Sequence, residues 1–242
     1  MDMLSLLTVR QATTAESLIR VQRFRYEIYI EELRKQLPWA DHKRRLLTDP
    51  DDLNALHFYC TTPFGSIVGC ARLHVSPNIP GHVQAALGLE TFFAEYTRPT
   101  GYISKLMFKR GLRGRGGALK LLAHLYLFGR STGGVLCFNH CNPKLVRYYE
   151  RMGLRKFGRP FIDPYVGTQI PMVQILEDED HYRQKGSFLA KHCHELSNNP
   201  ESIEYLRNWF LNRLVYKASA DSILSENMLP TVGVAATAAD SI

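Results

Sequence analysis

Residues 102–122, YISKLMFKRGLRGRGGALKLL, constrain the fold of this chain more than any other stretch. A short apolar strand-like run enters a loop that is both cationic and glycine-rich, and an apolar helical stretch follows at once. A strand, loop and helix start in that order aims unpaired backbone N–H groups and the positive end of a helix dipole at one spot, which suits a phosphate chain. Gly114, Gly116 and Gly117 let the backbone approach an anion closely, and Arg110, Arg113 and Arg115 add formal charge. The segment predicts a handle for a pyrophosphate or phosphopantetheine, and with it group transfer.

The flanking sequence reads as an α/β frame around that unit. Residues 4–10 suggest a strand, and Thr13 or Thr14 caps a helix with Leu18, Val21, Phe24 and Ile28 on one face. The polar, proline-containing segment 35–54, with Asp49, Asp51 and Asp52, reads as a long surface loop. Residues 56–61 and 66–75 flank the turn at Pro63, Phe64 and Gly65 and predict an antiparallel hairpin. A short helix over 85–96, a strand over 102–108 and a helix over 116–128 follow. Next come a strand over 135–138 and a helix that Pro143 opens and Gly153 stops. Phe157 and residues 169–176 supply later strands. From Glu177 the chain turns charged and helical, ending in an amphipathic helix with Tyr205, Trp209, Leu211 and Leu214. After Pro230 little remains to pack, and the expectation there is disorder.

Composition narrows the partners. At 242 residues, with 45% hydrophobic and 22% charged residues, the chain can bury one sizeable core. Its apolar runs fall short of a bilayer span. Asp2 stands where a secretory leader would carry positive charge, so the expected location is the cytoplasm. The five cysteines show no paired CxxC spacing, so reduced thiols are expected rather than a disulfide framework. Neither Cys137, His140 and Cys141 nor His192, Cys193 and His194 presents a recognised four-ligand spacing, and no metal is expected. The net charge of +7 favours an acidic partner: a nucleotide cofactor, an acidic carrier protein or nucleic acid. No nucleic-acid-binding motif accompanies the basic clusters, so specific nucleic-acid binding is not expected.

Two motifs in sequence order carry a family resemblance. Arg113, Gly114, Arg115, Gly116, Gly117 and Ala118 have the spacing Arg-x-x-Gly-x-Ala between a strand and a helix. Residues 137–157, CFNHCNPKLVRYYERMGLRKF, hold a strand, then Asn142, then a helix with Tyr149, Glu150, Arg151, Met152, Gly153 and Leu154. Together they resemble the acyl-CoA pyrophosphate loop and the second motif of the GNAT superfamily of N-acyltransferases. Within that superfamily the chain is similar to the N-acyl amino acid synthases and the acyl-homoserine-lactone synthases. Arg25 and Tyr29 match an Arg-x-x-x-aromatic motif, Asp49 and Asp52 an Asp-x-x-Asp pair, and Arg72 a hairpin arginine. Tyr102, Ile103, Ser104 and Lys105 stand where the family has Glu-x-Ser-Arg. The resemblance covers residues 8–180.

The resemblance implies an α/β protein of the GNAT-type acyl-CoA N-acyltransferase fold: a mixed central sheet, splayed between its central strands and flanked by helices. Residues 1–180 would form this domain, 181–229 a helical C-terminal extension packed on it, and 230–242 a disordered tail. It implies transfer of a long-chain acyl group from acyl-CoA, or from the acyl-phosphopantetheine of acyl carrier protein, to the amino group of an amino acid or small amine. Met107, Phe108, Arg113, Gly114, Arg115, Gly116, Gly117, Ala118 and Asn142 would hold the donor, with Lys105 and Arg110 meeting its acidic groups. Arg25, Tyr29, Trp39, Asp49, Asp52 and Arg72 would form the acceptor site, an arginine pairing the acceptor's carboxylate, or else a structural ion-pair set that pins the loop. Trp39 would cover the acyl chain or anchor the loop.

Tyr149 corresponds to the tyrosine that protonates the leaving thiolate, or is a core aromatic. The glutamate that would deprotonate the amine is replaced by Tyr102. A water held by Ser104, or a carboxylate of the acidic loop, could take its place, because an exposed tyrosine ionises only at about pH 10. Two rivals stay open: an acetyl-CoA-dependent acetyltransferase, and a non-catalytic member that binds donor or carrier. The lipid product allows peripheral membrane contact.

Overall fold

The computed structural model describes residues 6–113, 116–196 and 198–212. Gly114, Arg115, Leu214 and the segment 230–242 lie outside the described residues. Strand β1, Thr8–Gln11, leads into helix α1, Ala15–Tyr26. Thr14 caps α1 by accepting from the Ser17 N–H, and its own N–H donates to Ser17 Oγ. Val21, Phe24 and Ile28 are buried together, as their spacing requires. The helix does not stop at the β-branched and aromatic run but continues as a π-helical turn over Glu27–Glu32.

The 35–54 segment is more ordered than its polar composition suggests. It holds β2, Ala40–Asp41, paired with β3, Leu46–Leu47, and a 3₁₀ turn over Pro50–Asp52 capped by Asp49. Leu37 and Leu47 bury against Tyr26, so a few apolar residues anchor the whole segment.

The expected hairpin is β4, Leu56–Thr61, with β5, Ile67–Val75. Two helices, α2 (Gly81–Leu87) and α3 (Glu90–Glu95), replace the single one expected over 85–96, because Gly88 adopts φ +65° and caps the first. Strand β6, Thr100–Phe108, helix α4, Gly117–Ser131, and strand β7, Leu136–Cys141, form the central unit. A 3₁₀ turn at Pro143–Leu145 opens α5, Val146–Arg151. Gly153 follows at φ +96°, where a Cβ would lie 2.3 Å from the Tyr182 ring, so only glycine fits. Strands β8 (Arg155–Lys156), β9 (Phe161–Asp163) and β10 (Gly167–Ile175) precede helices α6 (Glu179–Gln184), α7 (Ala190–His194) and α8 (Pro200–Arg207).

The main sheet runs β1-β4-β5-β6-β7-β10-β8, with β9 paired to β10. Among the described strands only β6 and β7 pair in parallel, through Thr100–Leu136, Gly101–Cys137 and Tyr102–Phe138. Beyond Tyr102 the two separate, although β6 stays paired to β5 as far as Phe108 and β7 to β10 as far as Cys141. The mixed sheet is therefore splayed at its centre, as the resemblance implied. A bulge sets Lys105 and Leu106 of β6 opposite Ala71 alone and puts Lys105 at φ +53°.

Each face of the sheet has its own core. Phe58, Ala71, Leu73, Leu121 and Leu125 pack beneath α4. On the other face Phe92, Tyr102, Phe138 and Phe157 pack with Leu206 of α8 and with Trp209 and Phe210 just after it. Tyr205 departs from the expected apolar face: it is exposed, its ring stacked on Tyr96.

Candidate active site

A cavity of about 510 Å³ opens on the face of the sheet opposite α4. Tyr29, Trp39, Asp49, Arg72, Tyr102 and Ser104, all singled out in the sequence, lie in its wall. Strand β5 contributes Arg72, β6 contributes Tyr102, Ser104 and Lys105, β7 contributes His140, and the 35–54 segment supplies Trp39, Asp49 and Asp51. Tyr29 enters from the π-helical turn, a local widening that recurs at functional sites.

Behind the wall lies an ion-pair network. Arg25 is fully buried and grips both Asp52 oxygens through Nη1, at 2.8 and 2.9 Å, while its Nη2 meets His57 Nδ1 at 2.8 Å. Arg72 donates from Nε to Ser104 Oγ at 3.0 Å and from Nη1 to Asp49 at 3.1 Å and Asp52 at 3.0 Å. Its Nη2 reaches Asp51 at 3.4 Å. Arg25 and Asp52 thus stand outside the cavity, and the donors of Arg72 are engaged by protein groups. This arrangement fits the structural alternative for the network better than an arginine clamp on a substrate. Burial alone would raise the Asp49 carboxyl, but Lys105 and Arg72 outweigh it and hold the group well below the usual range. Asp52 is lowered in the same way, burial opposing and Arg25 and Arg72 prevailing.

Lys105 also reaches the cavity. Its Nζ sits 2.7 Å from Asp49 and 5.2 Å and 5.9 Å from the ring centroids of Tyr29 and Trp39. It was expected to meet the donor's acidic groups; the bulge turns it instead toward Asp49 and the aromatic wall. Trp39 packs edge-on against Tyr165, and its indole N–H, though buried, has no hydrogen-bond partner among the described residues.

His57 predicts a pH dependence of stability. Its Nδ1 accepts from Arg25 and its Nε2–H donates to the Asp52 carbonyl, so the ring is neutral. Burial first, and then Arg25, push it down to about 4. The unfolded value, about 6.5, is higher, so below it the unfolded chain binds a proton that the folded chain refuses. The neutral ring's contribution is therefore present above about pH 6.5 and is lost as pH falls toward 4, by about 1–2 kcal/mol at about pH 5. Urea denaturation should show this loss, and His57→Gln, which can keep both hydrogen bonds, should remove that share of it. An unchanged slope in the variant would assign the effect elsewhere.

On the donor side, Gly116 adopts φ +86° and starts α4. Leu119 N–H donates to Gly116 O, while Gly117 and Ala118 N–H, in the first turn, have no intrahelical acceptor. Met107 packs with Val21 and Phe24, and the Phe108 ring fills the space that Gly69 and Gly117 leave open. Both side chains are thus buried in the core. Arg113 donates from Nε to the Phe108 carbonyl at 2.7 Å and pairs with Glu32, remaining partly exposed. The Asn142 side chain accepts from the Lys144 N–H. Tyr149 is buried with Cys141, Met152, Leu154 and Met172, and its hydroxyl has no hydrogen-bond partner among the described residues. Burial pushes this phenol well above its ordinary value.

Three residues of the site escape sequence reasoning: His140, weighed only as a metal ligand, and His74 and Gln169, not weighed at all. Tyr102 Oη lies 2.8 Å from His140 Nε2, and His140 Nδ1 lies 3.0 Å from Gln169 Oε1. They come from separate strands, and no local spacing links them. All five cysteines are free and buried.

A family profile described as N-acyl amino acid synthase FeeM matches residues 20–175. The chain belongs to that family. It is an N-acyltransferase. Among solved structures, that of FeeM, an N-acyl amino acid synthase from uncultured soil microbes, matches with a TM-score of 0.58 at 13% identity, covering 77% of this chain and 97% of that one. The CoA-dependent acyl-homoserine lactone synthase MesI gives 0.56 at 17% identity, over 79% of this chain and 97% of that one. BjaI, another such synthase, solved with SAM and isopentyl-CoA, gives 0.56 at 15% identity, over 75% and 90%. At these identities the likeness is one of fold. No curated protein matches the chain in sequence. Among the described residues, no helix of this FeeM-family chain is long and apolar enough to cross a membrane.

Proposed function

We propose that the chain transfers a long-chain acyl group from a thioester, carried by CoA or by the phosphopantetheine of acyl carrier protein, to the amino group of an amino acid or related small amine. One observation carries the reading: Tyr102 is both the last residue that pairs β6 with β7 and part of the cavity wall. A thioester laid along the open edge of β6 would therefore present its carbonyl to an amine in the cavity. The N–H groups at the start of α4, which have no intrahelical acceptor, suit the donor's phosphate, with Arg113 preceding them in the chain. BjaI was solved with isopentyl-CoA and MesI is CoA-dependent, which supports a thioester donor of this kind.

The cavity suits a zwitterionic acceptor. Lys105 supplies a cation for a carboxylate, Asp51 lies in the wall, and Tyr29, Trp39 and Tyr165 provide apolar contact. Tyr149 protonates the leaving thiolate. Both donors are cytoplasmic metabolites, so the reading places the protein in the cytoplasm. The basic surface of a +7 chain complements an acidic carrier.

The test is a donor panel. The purified protein is given acetyl-CoA, long-chain acyl-CoA or long-chain acyl carrier protein with a mixture of amino acids, and both free thiol and new N-acyl products are followed by mass spectrometry. Long-chain N-acyl amino acids are expected. Turnover with acetyl-CoA alone would remove the fatty-acyl reading, and donor binding without product would favour a non-catalytic role.

A further inference from the structure

Three aromatic rings from adjacent central strands stand in a row beside the cavity. The rings of His74 (β5) and Tyr102 (β6) lie 5.9 Å apart at 27°, and those of Tyr102 and His140 (β7) lie 5.9 Å apart at 24°. His74 Nε2–H donates to the Asp51 carbonyl at 2.8 Å. Tyr102 is almost fully buried, yet it and His140 both line the cavity.

The hydrogen bonds determine which way the protons point. Gln169 Nε2 is held by the carbonyls of Gly167, at 3.2 Å, and Thr168, at 2.9 Å, groups that only accept. Its Oε1 therefore faces His140 Nδ1, which must carry a proton to donate to it. In a neutral imidazole this leaves Nε2 as a bare lone pair, and the Tyr102 hydroxyl donates to it. The oxygen of that hydroxyl keeps its lone pairs for a donor in the cavity. Here, at the position where the family's glutamate is missing, a phenol is connected to an imidazole that can take a proton.

We infer that Tyr102 and His140 together accept the proton of the attacking amine, Tyr102 as the group in contact with it and His140 through Tyr102, with Gln169 as the positioning residue that selects the tautomer. The inference rests on the acyl-transfer reading. As the amine nitrogen attacks the thioester carbon, the N–C bond forms and the carbonyl pair moves to oxygen. The N–H proton passes to Tyr102 Oη while the Tyr102 proton passes to His140 Nε2, leaving a neutral phenol and an imidazolium. As the oxyanion pair re-forms the C=O, the C–S bond breaks and its electron pair leaves on sulfur, which takes a proton from Tyr149. The imidazolium then returns its proton to solvent, and solvent reprotonates Tyr149.

The electrostatics agree with the direction of transfer. Burial pushes the Tyr102 phenol far above its usual value, so it relays a proton rather than standing ionised. Burial also lowers His140; the Gln169 hydrogen bond and Asp163 oppose this, and Lys105 and Arg72 add to it. The groups around it are thus Gln169 from β10, Asp163 from β9, Tyr102 and Lys105 from β6, and Arg72 from β5, with His74 beyond the Tyr102 ring. Below the ordinary histidine range the ring gains its proton and the relay closes, so the acid limb that kcat/KM shows beyond the slope set by protonation of the acceptor amine reports His140.

Two measurements test the pair. Imidazole ¹⁵N NMR of the full-length protein, with His140→Gln for assignment, should show His140 neutral at about pH 7, protonated on Nδ1, with an Nε2 resonance that moves in Tyr102→Phe. An Nε2–H tautomer or an imidazolium would overturn the inference. In kinetics, Tyr102→Phe and His140→Gln should each lower kcat by roughly 10²-fold with KM little changed, and the double variant should be no slower than either single one. That acid limb should vanish in both. Wild-type turnover with variants that keep their rate, or keep that acid limb, removes the relay alone. A wild-type chain that acylates no amine removes the acyl-transfer reading, and the relay with it.

Discussion

Asp52→Ala is expected to lower the free energy of unfolding by about 3–5 kcal/mol, the cost of leaving a buried charge without its partner. Arg25 is fully buried, and Asp52 is the only carboxylate bound to it among the described residues; what remains is neutral His57. A guanidinium cannot escape by losing its proton, so the burial cost falls on the fold. Arg25→Met should cost less, because the carboxylate it leaves behind keeps Arg72 at 3.0 Å. Denaturation of both variants at neutral pH gives the comparison. A loss below about 1 kcal/mol for Asp52→Ala, or the reverse order of the two, would show that the network is not what holds the 35–54 segment on the sheet.

Tyr149→Phe is expected to reduce kcat by roughly 10²-fold while donor affinity stays unchanged, and Tyr148→Phe should be close to neutral. The two rings meet edge to face at 5.6 Å, and the Tyr149 ring is the one enclosed by Cys141, Met152, Leu154 and Met172. Phenylalanine keeps that packing and removes the hydroxyl alone. Because burial keeps the phenol protonated, it can donate to sulfur as the C–S bond breaks. Single-turnover rates with donor and acceptor both bound would isolate the step. An unaltered rate would make Tyr149 a core residue and assign the proton to solvent.

Much of the frame was legible in sequence because it rests on local physics. Thr14 as a helix cap, the β4–β5 hairpin around Gly65, and Gly153 as a stop are each dictated by neighbours a few residues away. The departures have physical causes too. The π-helical turn at Glu27–Glu32 and the break at Gly88 reflect packing that periodicity does not record. The 35–54 segment reads as loop because polar residues dominate it, yet its order comes from Leu37 and Leu47 on α1 and from aspartates bound to arginines on other elements.

The site divides in the same way. Sequence alone determined the glycine-rich start of α4, the Asn142 to Leu154 stretch, and the absence of a glutamate at Tyr102, because each is a matter of residue type at fixed spacing along the chain. Only the tertiary structure decided that Arg25 and Asp52 sit behind the cavity, that the donors of Arg72 are engaged, and that Lys105 turns inward at a bulge. Only it brought His140 and Gln169 to Tyr102: the histidine lies 38 positions after the tyrosine, and their meeting depends on β6 and β7 pairing through Tyr102 and Phe138 before they part. Strand register places side chains from distant segments within hydrogen-bond reach, and a register is a property of the folded sheet rather than of any one strand.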